Sequence, residues 1–168
     1  QYFSYYFYAL GNIKEYLRLQ PTFFEEITIN NVIEKIKFIS KLLQKFPMEA
    51  PNEDIFRNLI DFASQNFEHI NKTEMSKLNI DEIEMILKNK NLQLSNEDSL
   101  MEFIFNLYEK NHEYSILFEN VIFTNLTNGM IEKFISIFDI EFLGTNTWIS
   151  ICKRLLLTPT KNIESATR

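Results

Sequence analysis

Apolar side chains recur at helical spacing along nearly the whole chain, and only three glycines and four prolines interrupt them. A repeat of i, i+3, i+4, i+7 turns one side of a helix toward a core, whereas a half-buried strand would alternate at every second residue. Val32, Ile33, Ile36, Ile39, Leu42, Leu43 and Phe46 make one such stripe. Ile55, Phe56, Leu59, Ile60, Phe62, Ala63 and Phe67 make another. Hairpin-rich folds need more glycine and proline than this chain has, so the pattern predicts an all-α fold of helices with short connections.

A chain of 168 residues with 45% hydrophobic residues, 16 Phe and 7 Tyr has ample material for a core. At this length one domain, or one domain with part of a neighbour, is expected, burying roughly 68–70% of the unfolded chain's surface. The net charge of −6 gives no long-range attraction for phosphate backbones or anionic lipid, so neither nucleic acid nor membrane is an expected partner. No apolar run approaches the ~20 residues that span a bilayer. The single cysteine, Cys152, rules out an intramolecular disulfide framework and fits a reducing, cytoplasmic setting. Its neighbours Trp148, Ile149 and Ile151 predict a buried, inert thiol.

In chain order, Phe3, Tyr6, Phe7 and Leu10 form a stripe that Gly11 ends, and Asn12 caps a short helix up to Leu19, before Pro21. A β-prone Ile27-Thr28-Ile29 precedes Asn30 or Asn31 as cap of the long helix through Phe46. Met48 to Asn52, which follows Pro47 and contains Pro51, marks the best boundary. Asn52 caps the next helix, Thr73 opens a turn, and Asp81 starts a helix through Ile83, Ile86 and Leu87. Glu113 to Phe118 is helical, and Val121-Ile122-Phe123 is extended. Thr127 caps a helix with Met130, Ile131, Phe134, Ile135 and Phe138 inward. Thr145 or Thr147 caps a last helix on which Trp148, Ile151, Cys152 and Leu155 recur, and the polar tail from Lys161 reads as a linker. The start at Gln1, already apolar and without signal-peptide features, reads as that of an internal fragment.

The stretch Asn91 to Asn111 stands at the centre of this series. Leu92 and Leu94 alternate with Gln93, and Ser95 with Asp98 resembles a capping box with Asp where Glu is usual. The helix that follows turns Leu100, Phe103, Ile104, Leu107 and Tyr108 inward.

No catalytic, cofactor-binding or metal residue is predicted. Glycines at 11, 129 and 144 cannot form a phosphate loop, and His69, His112 and Cys152 have no zinc spacing. The acidic groups Glu53-Asp54, Asp81-Glu82-Glu84 and Glu97-Asp98 each fall in a first helical turn, where the helix dipole favours carboxylates. His112 is expected at the surface of a polar loop, and His69 near a helix C-terminus.

The segments Leu92-Gln93-Leu94, Ser95 to Leu100, Phe103 to Tyr108, Leu117 to Val121, Asn125-Leu126-Thr127 and Trp148 to Leu155 resemble, in that order, the BACK domain, the helical module that follows a BTB/POZ domain. Upstream, Ile60 to Phe67 and Leu78-Asn79-Ile80-Asp81 resemble its early helix and turn, and Tyr8 to Asn12 resembles the closing helices of a BTB domain. The resemblance is to the divergent form common among large protist families. It implies the C-terminal part of a BTB-like domain and a junction helix over residues 1–46, a BACK-like array of antiparallel helical pairs over 52–157, and a linker over 158–168. It further implies a non-catalytic adaptor that forms a homodimer through a BTB domain and docks a cullin-type ubiquitin-ligase scaffold near Asn31 to Phe46 and Glu53 to Phe67. The alternative is a packing component of a large cytoskeletal assembly.

Overall fold

The computed structural model describes residues 7–19, 25–45 and 53–157. Every regular element there is a helix, of α or 3-10 type, and no strand occurs among the described residues. The expectation of an all-α fold holds. The chain divides into two compact units, Gln1–Gln93 and Leu94–Arg168. Among the described residues no helix is long and apolar enough to cross a membrane. The expected boundary and Asn52 cap, the stripe members Phe3, Tyr6 and Phe46, Pro21 and the polar tail all lie outside the described residues.

In the first unit, Gly11 ends a helical turn as expected. Its φ of 76° is one that side chains with a Cβ rarely adopt. This conformation lets Gly11 N–H reach the Tyr8 carbonyl at 3.2 Å and Asn12 N–H the Phe7 carbonyl at 2.9 Å, the paired bonds of a left-handed helix ending. Asn12 Oδ1 then takes Glu15 N–H at 3.2 Å and caps α1, Ile13–Arg18. Ile27-Thr28-Ile29 forms no strand. The side chain of Asn31 accepts Thr28 N–H at 2.8 Å and folds this segment into a turn, and an isolated extended segment has no ladder to join.

Helix α2, Val32–Lys45, buries Val32, Ile33, Ile36, Ile39 and Leu42, and it packs against α3, Glu53–Gln65. Leu59, Ile60, Ala63 and Phe67 are buried as expected, while Ile55, Phe56 and Phe62 are half-buried. Asn71 rather than Thr73 caps α4, Lys72–Met75, because its side chain precedes the turn and accepts Thr73 N–H at 2.8 Å. Asn79 and Glu82 form a reciprocal capping box at the start of α5, Ile80–Leu87, with bonds of 2.8 and 2.9 Å. Fully buried Ser64 ties these helices together. Its hydroxyl lies 2.8 Å from the Ile60 carbonyl and 2.9 Å from that of Ile86, and its own carbonyl takes Gln93 N–H at 3.1 Å.

The second unit begins with α6, Glu97–Tyr108. All five residues expected inward are buried, and Met101 and Phe105 are buried too, so this helix is enclosed almost all round. Two 3-10 helices follow, η1 at His112–Asn120 and η2 at Phe123–Asn125, then α7 at Asn128–Ile137, η3 at Ile140–Phe142 and α8 at Thr145–Leu157. The helical segment expected at Glu113 to Phe118 is of 3-10 type and runs longer, over the nine residues of η1. Val121 and Phe123 are buried on either side of exposed Ile122. Phe118, Phe123, Phe134 and Phe138 make an aromatic core with Phe105 and Tyr108; Phe134 and Phe138 stack at 4.6 Å, and Phe118 meets Phe134 edge-on at 5.3 Å.

Two cap expectations fail in this unit. Asn96 caps α6 in place of Ser95, taking Ser99 N–H at 2.8 Å. Gly144 precedes α8 in place of Thr145 or Thr147, its carbonyl taking Trp148 N–H at 3.0 Å. A Cβ on Gly144 would stand 2.6 Å from Glu119 Oε1, and the same carboxylate accepts from Asn146 Nδ2 at 2.9 Å, which sets an anion beside the first turn of α8.

Candidate interaction surfaces

Helices α2, α3 and α5 leave an open groove of about 450 Å³ in the first unit. Buried Ile60 forms its floor, half-buried Leu43 and Phe56 its walls, and Met85, 51% exposed, its lip. Leu43 and Phe56 belong to the helical stripes read as core from spacing. They stop short of full burial because the third helix of the group presents Met85 and Glu84 at this place instead of a closing apolar stripe. Charged side chains stand around the opening in opposite-sign pairs: Lys88 Nζ lies 2.8 Å from Glu84 Oε1, and Arg57 Nη1 3.7 Å from Asp54 Oδ1. The groove is therefore apolar inside, with a rim of balanced charge and an adaptable methionine at its edge. It can receive apolar side chains, and among the described residues its lining offers no nucleophile with a neighbouring base.

A smaller depression of about 190 Å³ is lined by Lys37, Ser40, Lys41 and Lys77. Lys77 Nζ is held by Glu74 at 2.6 and 2.7 Å, and the adjoining Glu82 carboxylate accepts Asn79 N–H. Those groups serve the local helix ends.

Of the acidic groups singled out from sequence, Glu97 and Asp98 make hydrogen bonds beyond their own helix start. Glu97 is 9% exposed, and its Oε1 accepts Ile122 N–H at 2.6 Å. Burial pushes its carboxyl above the ordinary Glu range; the Ile122 hydrogen bond opposes this, and the neighbouring Asp98 charge adds to it. Asp98 turns to Thr127 instead of back to its own helix start. Lys72 is the other shifted group. Its Nζ donates to the Phe67 carbonyl and lies 3.5 Å from the centre of the Phe67 ring. Burial lowers its pKa to about 8, with Glu68 opposing the shift.

His112 is exposed, but its ring stacks on Tyr108 at 4.6 Å and meets Phe142 edge-on at 5.2 Å. His69 is exposed in the turn after α3. No group of three or more His, Cys, Asp and Glu among the described residues is arranged to hold a metal ion.

Helix α8 corrects the sequence reading most sharply. Cys152 is half-exposed rather than buried, while Trp148 is 52% and Leu155 64% exposed. The side of α8 that faces its own unit is the polar one. Ser150 Oγ donates to the Val121 carbonyl and accepts Phe123 N–H, each at 3.3 Å. Arg154 donates to the Phe123 carbonyl at 3.1 Å, the Thr124 carbonyl at 3.3 Å and Asn128 Oδ1 at 2.7 Å. Helical spacing alone cannot choose between facing a core and facing outward. The signal that could have located the inward side was Ser150 and Arg154, four positions apart, opposite to the apolar stripe. No family model, no curated protein and no solved structure matches this chain.

Proposed function

We propose that this chain is a non-catalytic interaction module whose groove between α2, α3 and α5 docks an amphipathic helix of a partner protein. The observation that carries the reading is the groove itself, an apolar trough beside Met85 with a rim of balanced charge. Such a trough suits two or three apolar side chains spaced along one face of a helix. The order of segments that resembles a BACK domain after the closing helices of a BTB domain supports the same reading and supplies the partner class, a cullin-type ubiquitin-ligase scaffold. Under it, the antiparallel BACK-like array is a spacer and docking surface in a cytoplasmic adaptor that forms a homodimer through BTB. Capture of a cullin by the protein carrying a complete BTB region tests the adaptor role. Binding that falls at least about tenfold in Met85→Glu, an exposed site where folding is preserved, supports it. Absence of capture removes the cullin.

A second reading, a packing block in a large cytoskeletal assembly, is favoured by the outward apolar side of α8. Permanent interfaces are more apolar than transient ones. An abundance like that of a filament protein, with a fixed position in an isolated complex, would select it.

A further inference from the structure

Helix α8 is joined to its own unit through Ser150 and Arg154, and it carries large apolar side chains on the other side. Trp148, Ile149, Leu155 and Leu156 are 52, 44, 64 and 84% exposed. At 100° per residue they fall with Cys152 inside one arc of the helix. Their order is symmetric: Trp148 and Ile149 stand four and three positions before Cys152, and Leu155 and Leu156 three and four positions after it. A large–large–small–large–large series of this kind is self-complementary about a two-fold axis through its centre. Two antiparallel copies would set Trp148 and Ile149 of each against Leu155 and Leu156 of the other, with the small Cys152 side chain letting the helices approach at the crossing.

We propose that α8 is a self-association surface on which a second copy of this chain packs its own α8 in antiparallel fashion. The proposal rests on the reading of the chain as an interaction module and adds a specific occupant for a surface distinct from the groove. The area is of the right size. The four large side chains present on the order of 500 Å² of exposed surface, within the range of the largest apolar patch on a monomer, where binding sites are often found, and a large part of the ~800 Å² per partner in an ordinary interface. An isologous contact also closes on itself, so it yields a dimer and not an open fibre.

The test uses the 168-residue chain in sedimentation equilibrium between about 1 and 100 µM, with Leu156→Glu and Trp148→Glu beside it. A reversible dimer is expected, weakened at least about tenfold in both variants, with circular dichroism unchanged because both positions are exposed. Copper phenanthroline with dioxygen provides a second readout. Two Cys152 thiols lose two protons and two electrons to the oxidant and form one S–S bond, and as the only cysteine Cys152 must be the point of any such link. Rapid cross-linking, slowed in both variants, supports the antiparallel crossing. A chain that stays monomeric over the whole range overturns the proposal, as does a dimer indifferent to both substitutions. So does a monomer whose Cys152 resists alkylation, since that places another segment of the same chain over the stripe. Partner capture through the groove, measured with Met85→Glu, reports separately on the interaction-module reading: capture by a monomeric chain removes self-pairing alone.

Discussion

Asp98 grips Thr127 at two points, accepting its backbone N–H at 2.9 Å and its hydroxyl at 2.6 Å. The hydroxyl in turn accepts Met130 N–H at 3.3 Å, so the residue that caps α7 is positioned by a carboxylate in the first turn of α6. Two helix starts are thereby linked across 29 residues of sequence.

Replacing Asp98 with Ala should destabilise the second unit by about 1–2 kcal/mol, the range for charge-assisted bonds at a partly exposed site. Asn in its place keeps one acceptor for Thr127 N–H and should lose about half as much. Urea unfolding of Asp98→Ala, Thr127→Ala and the double variant forms a cycle. Strictly additive effects would show that the pair is not coupled.

Glu97 makes a pH-dependent contribution of opposite sense to an ordinary salt-bridged carboxylate. Its folded pKa is raised above the unfolded value, so between the two the folded state binds the proton and the unfolded state does not. Its burial cost is fully present above the raised pKa and is relieved as pH falls through it toward the ordinary Glu range. Glu97→Gln retains an oxygen for Ile122 N–H without the charge, so at pH 7 it should be at least as stable as the native chain. The native chain should close that gap on acidification, as read by unfolding midpoints at several pH values. A constant gap would contradict the assignment.

Lys72 titrates in the alkaline range. With its folded pKa lowered from 10.5 to about 8, the unfolded chain holds a proton between those values that the folded chain releases. Stability from this group therefore rises with pH across that window. Lys72→Met should remove the rise while leaving the apolar stem against Phe67. Denaturation of both proteins at pH 7 and pH 9.5 checks it, since the remaining lysines and tyrosines cancel in the difference.

Ser64 is the polar tie in the first unit's core. Ser64→Ala should cost about 1 kcal/mol through the lost bond to the carbonyls of Ile60 and Ile86. Hydrogen exchange at the Gln93 amide, which bonds to the Ser64 backbone, should stay slow in this variant. Fast exchange there would show that the side chain also positions the chain after α5.

Helical periodicity and end signals are local, so residues a few positions apart already fix the helices. The stripes of α2 and α6, the Gly11 ending, the Asn12 and Thr127 caps and the first-turn position of Glu97 and Asp98 were all legible from neighbours within a few residues. Caps were misplaced where several competent side chains adjoin, as with Ser95 and Asn96 or Asn71 and Thr73; only backbone direction selects among them. Tertiary structure decided which way each stripe points. The stripe of α6 is enclosed, that of α2 and α3 leaves a groove at Leu43 and Phe56, and that of α8 faces outward because Ser150 and Arg154 find carbonyl acceptors at Val121, Phe123 and Thr124. Those acceptors lie 29 to 31 residues away in the chain, beyond the reach of any local pattern, and they turn the apolar stripe of an apparent core helix outward.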